Sequence, residues 1–188
     1  MRSDGVFCYT GRMKHHIPFP AVAALLLFLP IAAFAAGRSP KLGVIGSARY
    51  HQTHTAVLEW PFDKDDMSYG AGLLLYDGMG YVELGCEYAP DPSYDAIDEV
   101  ITPYARLVIE DMGVAAGIGV RDNYVFFSDK ERKDDWTDLL YEFHLGLGFT
   151  LGRIIIGGGA YYSFDDWDDL KDFDFDDLEY GIHVGFAF

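Results

Sequence analysis

The sequence predicts an all-β fold: an eight-stranded antiparallel transmembrane up-and-down β-barrel, preceded by a signal peptide. Three observations predict it. Apolar residues alternate with polar residues or glycine in eight segments, and short and long links between these segments alternate strictly along the chain. The charged residues of the segments share one face. Transmembrane barrels have an even number of strands of roughly ten residues, with tight turns at one end and longer loops at the other.

Composition sets the class of protein. The chain has 188 residues, with 30 Asp and Glu against 14 Lys and Arg, and half of the residues are apolar. One folded domain is therefore expected, not a disordered acidic chain. The net charge of −16 argues against a nucleic-acid partner. Cys8 lies upstream of the expected mature start and leaves Cys86 alone, so neither a disulfide framework nor a cysteine-rich zinc site is expected.

Residues 1–35 are predicted to be a signal peptide. Lys14 follows the expected initiator Met13, an uncharged apolar run covers residues 17–37, and Ala33 and Ala35 suit cleavage after Ala35. Residues 36–188 would then form the barrel. A longer n-region that starts at Met1 and a retained membrane anchor are the alternatives. Three prolines and the Ala-x-Ala site argue against the anchor.

The strands are predicted from period-2 alternation, which is clearest at 141–149 and 179–188. The eight predicted strands are 41–51, 68–77, 80–88, 100–109, 113–125, 141–149, 153–164 and 179–188. After residue 37 no run approaches the roughly 18 apolar residues of a membrane helix.

The links between the strands predict the topology. Tight turns are predicted at 77–79, 110–112 and 151–152, and long polar links at 52–67, 89–99, 126–138 and 165–177. A soluble sandwich has no reason to place every long loop at one end, whereas an outer-membrane barrel does. Both termini would lie at the end with the tight turns.

The two faces of the strands predict an inside-out barrel. A polar network is predicted in the lumen, from Arg49, Glu83, Glu87, Arg106, Arg121, Glu142, His144, Glu179 and His183. A lipid-facing band is predicted from Val82, Leu84, Ala105, Leu107, Val114, Ile118 and Val120. Glycines at 117, 119, 146, 148, 157, 159, 181 and 185 fall on the inner face, where Gly146→Ala is expected to cost less than Leu145→Arg on the outer face. A soluble lipocalin-type barrel would have the opposite polarity.

The last strand carries a resemblance to a known superfamily. Tyr180-x-Ile182-x-Val184-x-Phe186-x-Phe188 resembles the C-terminal strand of bacterial outer-membrane barrels, and the mature chain resembles the small eight-stranded members of the OmpA and OmpX type. The resemblance implies an outer-membrane location among lipid and lipopolysaccharide. It also implies that Phe188 is an assembly signal for the barrel-assembly machinery. A monomer without a cofactor is expected.

An eight-stranded barrel has an interior that its own side chains fill. A structural or surface-interaction role is therefore expected, with a small gated ion path as the alternative. His144 and His183 are either members of the polar core or metal ligands. A lipid A-modifying acyl hydrolase or transferase is less favoured, because Ser47, His51 and His54 form no recognisable motif.

The fourth long link is rich in aspartate and suggests cation binding. Weak calcium or magnesium binding is predicted at Asp172, Asp174 and Asp176, because calcium prefers several carboxylate oxygens. The segment lacks the glycine at the sixth position of an EF-hand, where Asp177 stands. A plain solvated acidic loop is the alternative.

Overall fold

The computed structural model describes residues 41–54, 57, 60–76, 80–129 and 132–188, except for the side chains of Asp169 and Asp172. The expected signal peptide and the predicted turn at 77–79 lie outside these residues. No helix within the described part of the chain is long and apolar enough to cross a membrane.

The described residues form ten strands and two short 3-10 turns. The strands are β1 Lys41–Tyr50, β2 Met67–Tyr76, β3 Gly80–Pro90, β4 Ile97–Asp111, β5 Val114–Arg121, β6 Tyr124–Phe127, β7 Asp135–Trp136, β8 Leu140–Leu151, β9 Ile154–Phe164 and β10 Glu179–Ala187. The 3-10 turns are Trp167–Asp172 and Phe175–Asp177.

Eight of these strands close into an antiparallel barrel, as predicted. The order around the barrel is β1-β2-β3-β4-β5-β8-β9-β10, with β10 pairing back onto β1. The β1–β10 register runs from Gly43 opposite Ala187 to Tyr50 opposite Tyr180. Closure satisfies the backbone donors and acceptors of every barrel strand within the sheet, which a strand in contact with lipid requires.

The fifth predicted strand, 113–125, is interrupted in the structure. β5 ends at Arg121, and β6 resumes at Tyr124 but pairs with the first part of β4 and with β7. Asn123, which is fully buried, occupies the break: its side-chain carbonyl accepts from Thr102 Oγ1 at 2.8 Å, and its backbone carbonyl accepts from Thr137 N at 2.8 Å. The predicted loop 126–138 therefore contains part of a small sheet that extends beyond the barrel.

The predicted turn at 110–112 is shifted along the chain. β4 continues to Asp111, and the two linking residues are Met112 and Gly113, with φ of 51° and 83°. Positive φ at both central residues is the type I′ geometry that suits a two-residue hairpin. The turn between β8 and β9 is similarly short, and Gly152 has φ of 67° there. We call this end of the barrel the turn end and the opposite end the loop end.

The outward face of the barrel is an apolar band. The exposed members of this outer band are Leu42, Val44, Leu73, Val114, Ile118, Phe143, Leu145, Leu147, Phe149, Ile154, Ile156, Ile182, Val184 and Phe186. Of the residues predicted for the band, Ala105 is fully buried, because it lies in register between the larger Leu84 and Val120. Val82 and Val120 are also buried, and Leu84 and Leu107 are half-buried, so the band is less continuous over β3 to β5 than expected.

Candidate functional site

The charged residues of the strands converge in the lumen. Arg49 enters from β1, Arg106 from β4 and Arg121 from β5, and each is at most 4% exposed. The carboxylates Glu83, Glu87, Glu142 and Glu179 enter from β3, β8 and β10 and are equally buried. We call these seven residues the lumen network. Their alternation with outward apolar residues places all seven side chains inside one closed sheet.

Glu142 lies at the centre of the lumen network. Its carboxylate accepts from Arg49 Nη1 at 2.6 Å and from Arg106 Nε at 2.6 Å, and it lies 3.7 Å from Arg121 Nη1. A carboxylate buried in a medium of low polarity is costly unless opposite charges compensate it. Three guanidinium groups on separate strands supply that compensation, and they tie β8 to β1, β4 and β5.

The other carboxylates of the network extend the ion pairs. Glu179 lies 3.2 Å from Arg49 Nη1 and 3.0 Å from Arg121 Nη1. Glu83 accepts from Arg106 at 3.3 Å and from the Tyr104 hydroxyl at 2.5 Å. Glu87 contacts the guanidiniums over longer distances, with Arg49 Nε nearest at 3.3 Å.

Aromatic rings complete the surroundings of the guanidiniums. Arg49 lies 4.0 Å from the centroid of Tyr161, and Arg106 lies 4.1 Å from that of Tyr104. These cation–π contacts satisfy the faces of the guanidiniums that carry no hydrogen bond. The tyrosines were not among the predicted lumen residues, although inward alternation in β4 and β9 could have identified them.

His51 joins the network just beyond the end of β1. It is fully buried, its Nδ1 hydrogen-bonds Glu179, and its Nε2 lies 2.9 Å from Ser68 Oγ. Burial lowers the pKa of His51, and the Glu179 carboxylate opposes this only in part. The carboxylate of Glu179 accepts from Nδ1, and Nε2 shares a hydrogen bond with the Ser68 hydroxyl.

This Glu179, His51 and Ser68 arrangement has the order of an acid, base and serine triad, with Ser68 in place of the Ser47 considered from the sequence. Ser68 is 1% exposed and also lies 3.3 Å from Glu87. The ring of Phe62 stacks on His51 with centroids 3.7 Å apart. These contacts hold the His51 ring in position.

Loop 1, residues 51–66, caps the lumen network at the loop end. Trp60 and Phe62 are buried in an apolar cluster with residues of β3, β4, β6 and β8. Their rings also face the guanidinium of Arg121, at 5.4 and 5.8 Å. Asp66 holds the base of loop 1 by accepting from Ser93 N at 3.0 Å. The described part of loop 1 is therefore packed onto the network.

A second apolar cluster fills the lumen at the turn end. Its members are buried together on the inward face, one from each of the strands β1 to β5: Ile45, Leu74, Tyr81, Val108 and Ala115. The charged network thus lies between two apolar layers.

His144 and His183 lie against the glycines of the inner wall. The His144 ring stacks on Tyr161 with centroids 4.6 Å apart, and an added methyl group on Gly157 would lie 2.5 Å from His183 Nε2. A methyl group on Gly146 would lie 2.5 Å from the Gly158 carbonyl oxygen, so Gly146→Ala requires a backbone shift, and its lower cost relative to Leu145→Arg stays a prediction. The glycines make room for the two imidazoles.

The aspartates of loop 4, residues 165–178, are dispersed over its two 3-10 turns. Asp174 accepts from Asp176 N at 3.1 Å and so caps the second turn, and both side chains are exposed. Asp177 is buried instead, 4.0 Å from His54 Nδ1. Within the described part of the chain no three His, Cys, Asp or Glu side chains are grouped as metal ligands. Because the Asp172 side chain lies outside the described ones, the calcium or magnesium site stays a prediction.

Phe188 lies at the turn end, beside the start of β1. Its backbone N donates to Leu42 O at 2.8 Å, and its exposed ring contacts that of Phe186 with centroids 5.5 Å apart. The ring extends the outer band to the end of the closing strand. Its role in assembly stays a prediction.

No protein-family model matches the chain, and no curated protein matches it. Among solved structures it is similar to Ail, the attachment invasion locus protein of Yersinia pestis, whose crystal structure was determined in complex with the heparin analogue sucrose octasulfate. The likeness covers 79% of this chain and 97% of that one, at 13% identity and a TM-score of 0.41. The fold assignment rests on the strand pairing and not on this likeness.

Strand pairing and side-chain polarity agree on the class of protein. The barrel is closed, its charged side chains are inside, and its exposed face is apolar. A soluble barrel would bury the apolar face, whereas a barrel in a bilayer presents it to lipid. The protein is an eight-stranded transmembrane β-barrel.

Proposed function

We propose that the protein is a monomeric, non-conducting outer-membrane barrel that acts through its external surface, in envelope structure or in surface interaction. One observation carries this proposal: the lumen is filled by the lumen network and capped by Phe62 and Trp60. A barrel whose interior is packed has no volume left for transport. Contacts with a partner would then be made by the long loops.

The partners follow from the same geometry. The outer band requires membrane lipid around it, and in an outer membrane this includes lipopolysaccharide. We propose that the barrel-assembly machinery inserts the chain by recognising the strand that ends at Phe188. We expect no cofactor, and the absence of an unpaired edge in the closed barrel removes one reason for strand-to-strand association.

A small gated ion path is the second candidate, and the charge of the network favours it. The lumen network holds four carboxylates against three guanidiniums. One negative charge is therefore left over among these groups. If loop 1 moved away from the lumen, this charge would favour cations over anions.

Planar-bilayer conductance of the refolded protein distinguishes the non-conducting barrel from the gated ion path. We expect no discrete current steps from the wild-type barrel, because Phe62 and the turn-end cluster close both ends of the lumen. Phe62→Ala removes part of the cap, and Phe173→Ala is the matched control in loop 4. Steps in the wild type that become more frequent in Phe62→Ala, but not in Phe173→Ala, would overturn the non-conducting barrel and support the gated path.

A further inference from the structure

Loop 4 covers the outside wall of the barrel. Tyr162 and Phe164 occupy outward positions of β9, since Tyr162 is opposite the exposed Phe143, yet they are only 3% and 0% exposed. Aromatic residues of loop 4 cover them. The ring of Trp167 lies 5.2 Å from Phe164 and that of Phe173 lies 4.8 Å from Tyr162, between centroids. The part of loop 4 that carries Trp167 and Phe173 therefore lies over the outer surface.

The covering residues are themselves exposed on their other side. Trp167 is 51% exposed, Phe173 is 40% exposed and Phe175 is 74% exposed. Phe173 and Phe175 contact each other in an edge-to-face arrangement, with centroids 5.0 Å apart. We call these three residues the loop-4 aromatic cluster. Phe173 and Phe175 are side by side, and Trp167 lies on the neighbouring Phe164. Exposed rings gathered on one stretch of the outer wall are an unfavourable surface in water and indicate a contact with another apolar phase.

The cluster is continuous with the outer band. Trp167 contacts Tyr141 and Phe143, with centroids 5.4 and 6.1 Å apart. These two residues begin the outward column of β8, which continues through the exposed Leu145 and Leu147. The apolar surface thus runs without a break from the lipid-facing strand onto loop 4.

Loop 4 also carries charged side chains that are exposed to solvent. Asp166, Asp168 and Asp176 are exposed, and Lys171 pairs with Asp168 at 2.7 Å. Aromatic rings are enriched at the boundary between acyl chains and water, where a ring contacts the apolar phase and neighbouring polar groups stay hydrated. The mixture of rings and carboxylates in loop 4 suits that boundary.

We propose that the loop-4 aromatic cluster is a lipid-docking surface, which inserts into the outer leaflet of the bilayer that holds the barrel. The occupant is the upper part of the lipid acyl chains, because the cluster continues a surface that already faces those chains. A protein partner would have to bind across the lipid-facing column of β8. The proposal rests on the barrel assignment but not on whether the lumen conducts.

Tryptophan fluorescence tests the proposal, because the chain has 3 tryptophans and Trp167 is in the cluster. Two variants are compared, each shown to be folded by heat-modifiable migration on a gel. One retains Trp167 and carries Trp60→Phe and Trp136→Phe; the control retains Trp60, which is buried in the lumen cap, and carries Trp136→Phe and Trp167→Phe. Both are refolded in phosphatidylcholine vesicles, with or without bromine on the acyl chains.

We expect Trp167 to lose most of its emission in the brominated vesicles and to be protected from aqueous iodide. Trp60 should be protected from both quenchers. Quenching of Trp167 by iodide but not by bromine would place loop 4 in water and overturn the proposal. Protection of Trp167 from both would also overturn it, because protein and not lipid would then cover the ring.

Discussion

Leu145→Arg is expected to destabilise the folded barrel by about 2–4 kcal/mol, because it places a charge on the lipid face near the bilayer midplane. Leu145 is 63% exposed and lies six residues from Leu151, the end of β8 at the turn end. At about 3.3 Å per residue and a strand tilt of about 40°, this is roughly 15 Å along the membrane normal, or half of a hydrocarbon core about 30 Å thick.

This change in the free energy of unfolding corresponds to a measurable change in the ratio of folded to unfolded protein. At about 1.4 kcal/mol for each factor of ten, the ratio of folded to unfolded protein should fall roughly 30- to 1,000-fold. The assay is a reversible guanidinium titration of the protein in lipid vesicles, followed by tryptophan fluorescence and by heat-modifiable migration.

Leu151→Arg is the matched control. Leu151 lies on the same outward column and is 67% exposed, but it is at the turn end of β8. A charge near the interface should cost only about 0–1 kcal/mol. Equal costs for the two variants would refute the placement of β8 across the membrane. Gly146→Ala is unsuitable as a control, since its methyl group would meet a backbone oxygen at 2.5 Å.

Three further predictions concern the lumen, the closing strand and loop 4. Glu142→Gln should lower the free energy of unfolding by about 3–5 kcal/mol, because it removes one partner of a buried ion-pair group; the exposed Glu99→Gln should change it by less than about 0.5 kcal/mol in the same titration. Deleting Phe188, or changing it to Asp, should abolish outer-membrane insertion, and unchanged yield and heat-modifiable migration would argue against its role in assembly. Calorimetry in physiological salt should show saturable calcium binding if loop 4 holds a site. That binding should vanish when three aspartates are changed to Asn: Asp172, Asp174 and Asp176. No heat above the dilution blank would leave loop 4 as an acidic surface.

Sequence alternation predicted the barrel because its period is a local property. In the strand around Leu145 each outward residue is exposed and each inward residue faces the lumen, as period 2 requires. The interruption at Asp122 and Asn123 was missed, although Asp and Asn are depleted in strands and common in turns. What ends β5 is a hydrogen bond from Thr102, a residue of another strand.

The interior of the site was less predictable because its contacts join distant parts of the chain. His51 meets a carboxylate 128 residues away in Glu179, and a serine 17 residues away in Ser68. Alternation could place each of them on the inner face, but it could not place them at the same height in the barrel. The cap was missed for the same reason, since Trp60 and Phe62 occur in a link without periodicity.

Lipid contacts of individual methyl groups test the inside-out polarity of the barrel most directly. In a bilayer nanodisc, nuclear Overhauser effects from acyl-chain protons should reach the methyl groups of the exposed Leu145 and Ile182. They should not reach those of Leu74 and Val108, which are buried in the lumen at the turn end. Contacts to Leu74 and Val108 without contacts to Leu145 and Ile182 would contradict the account.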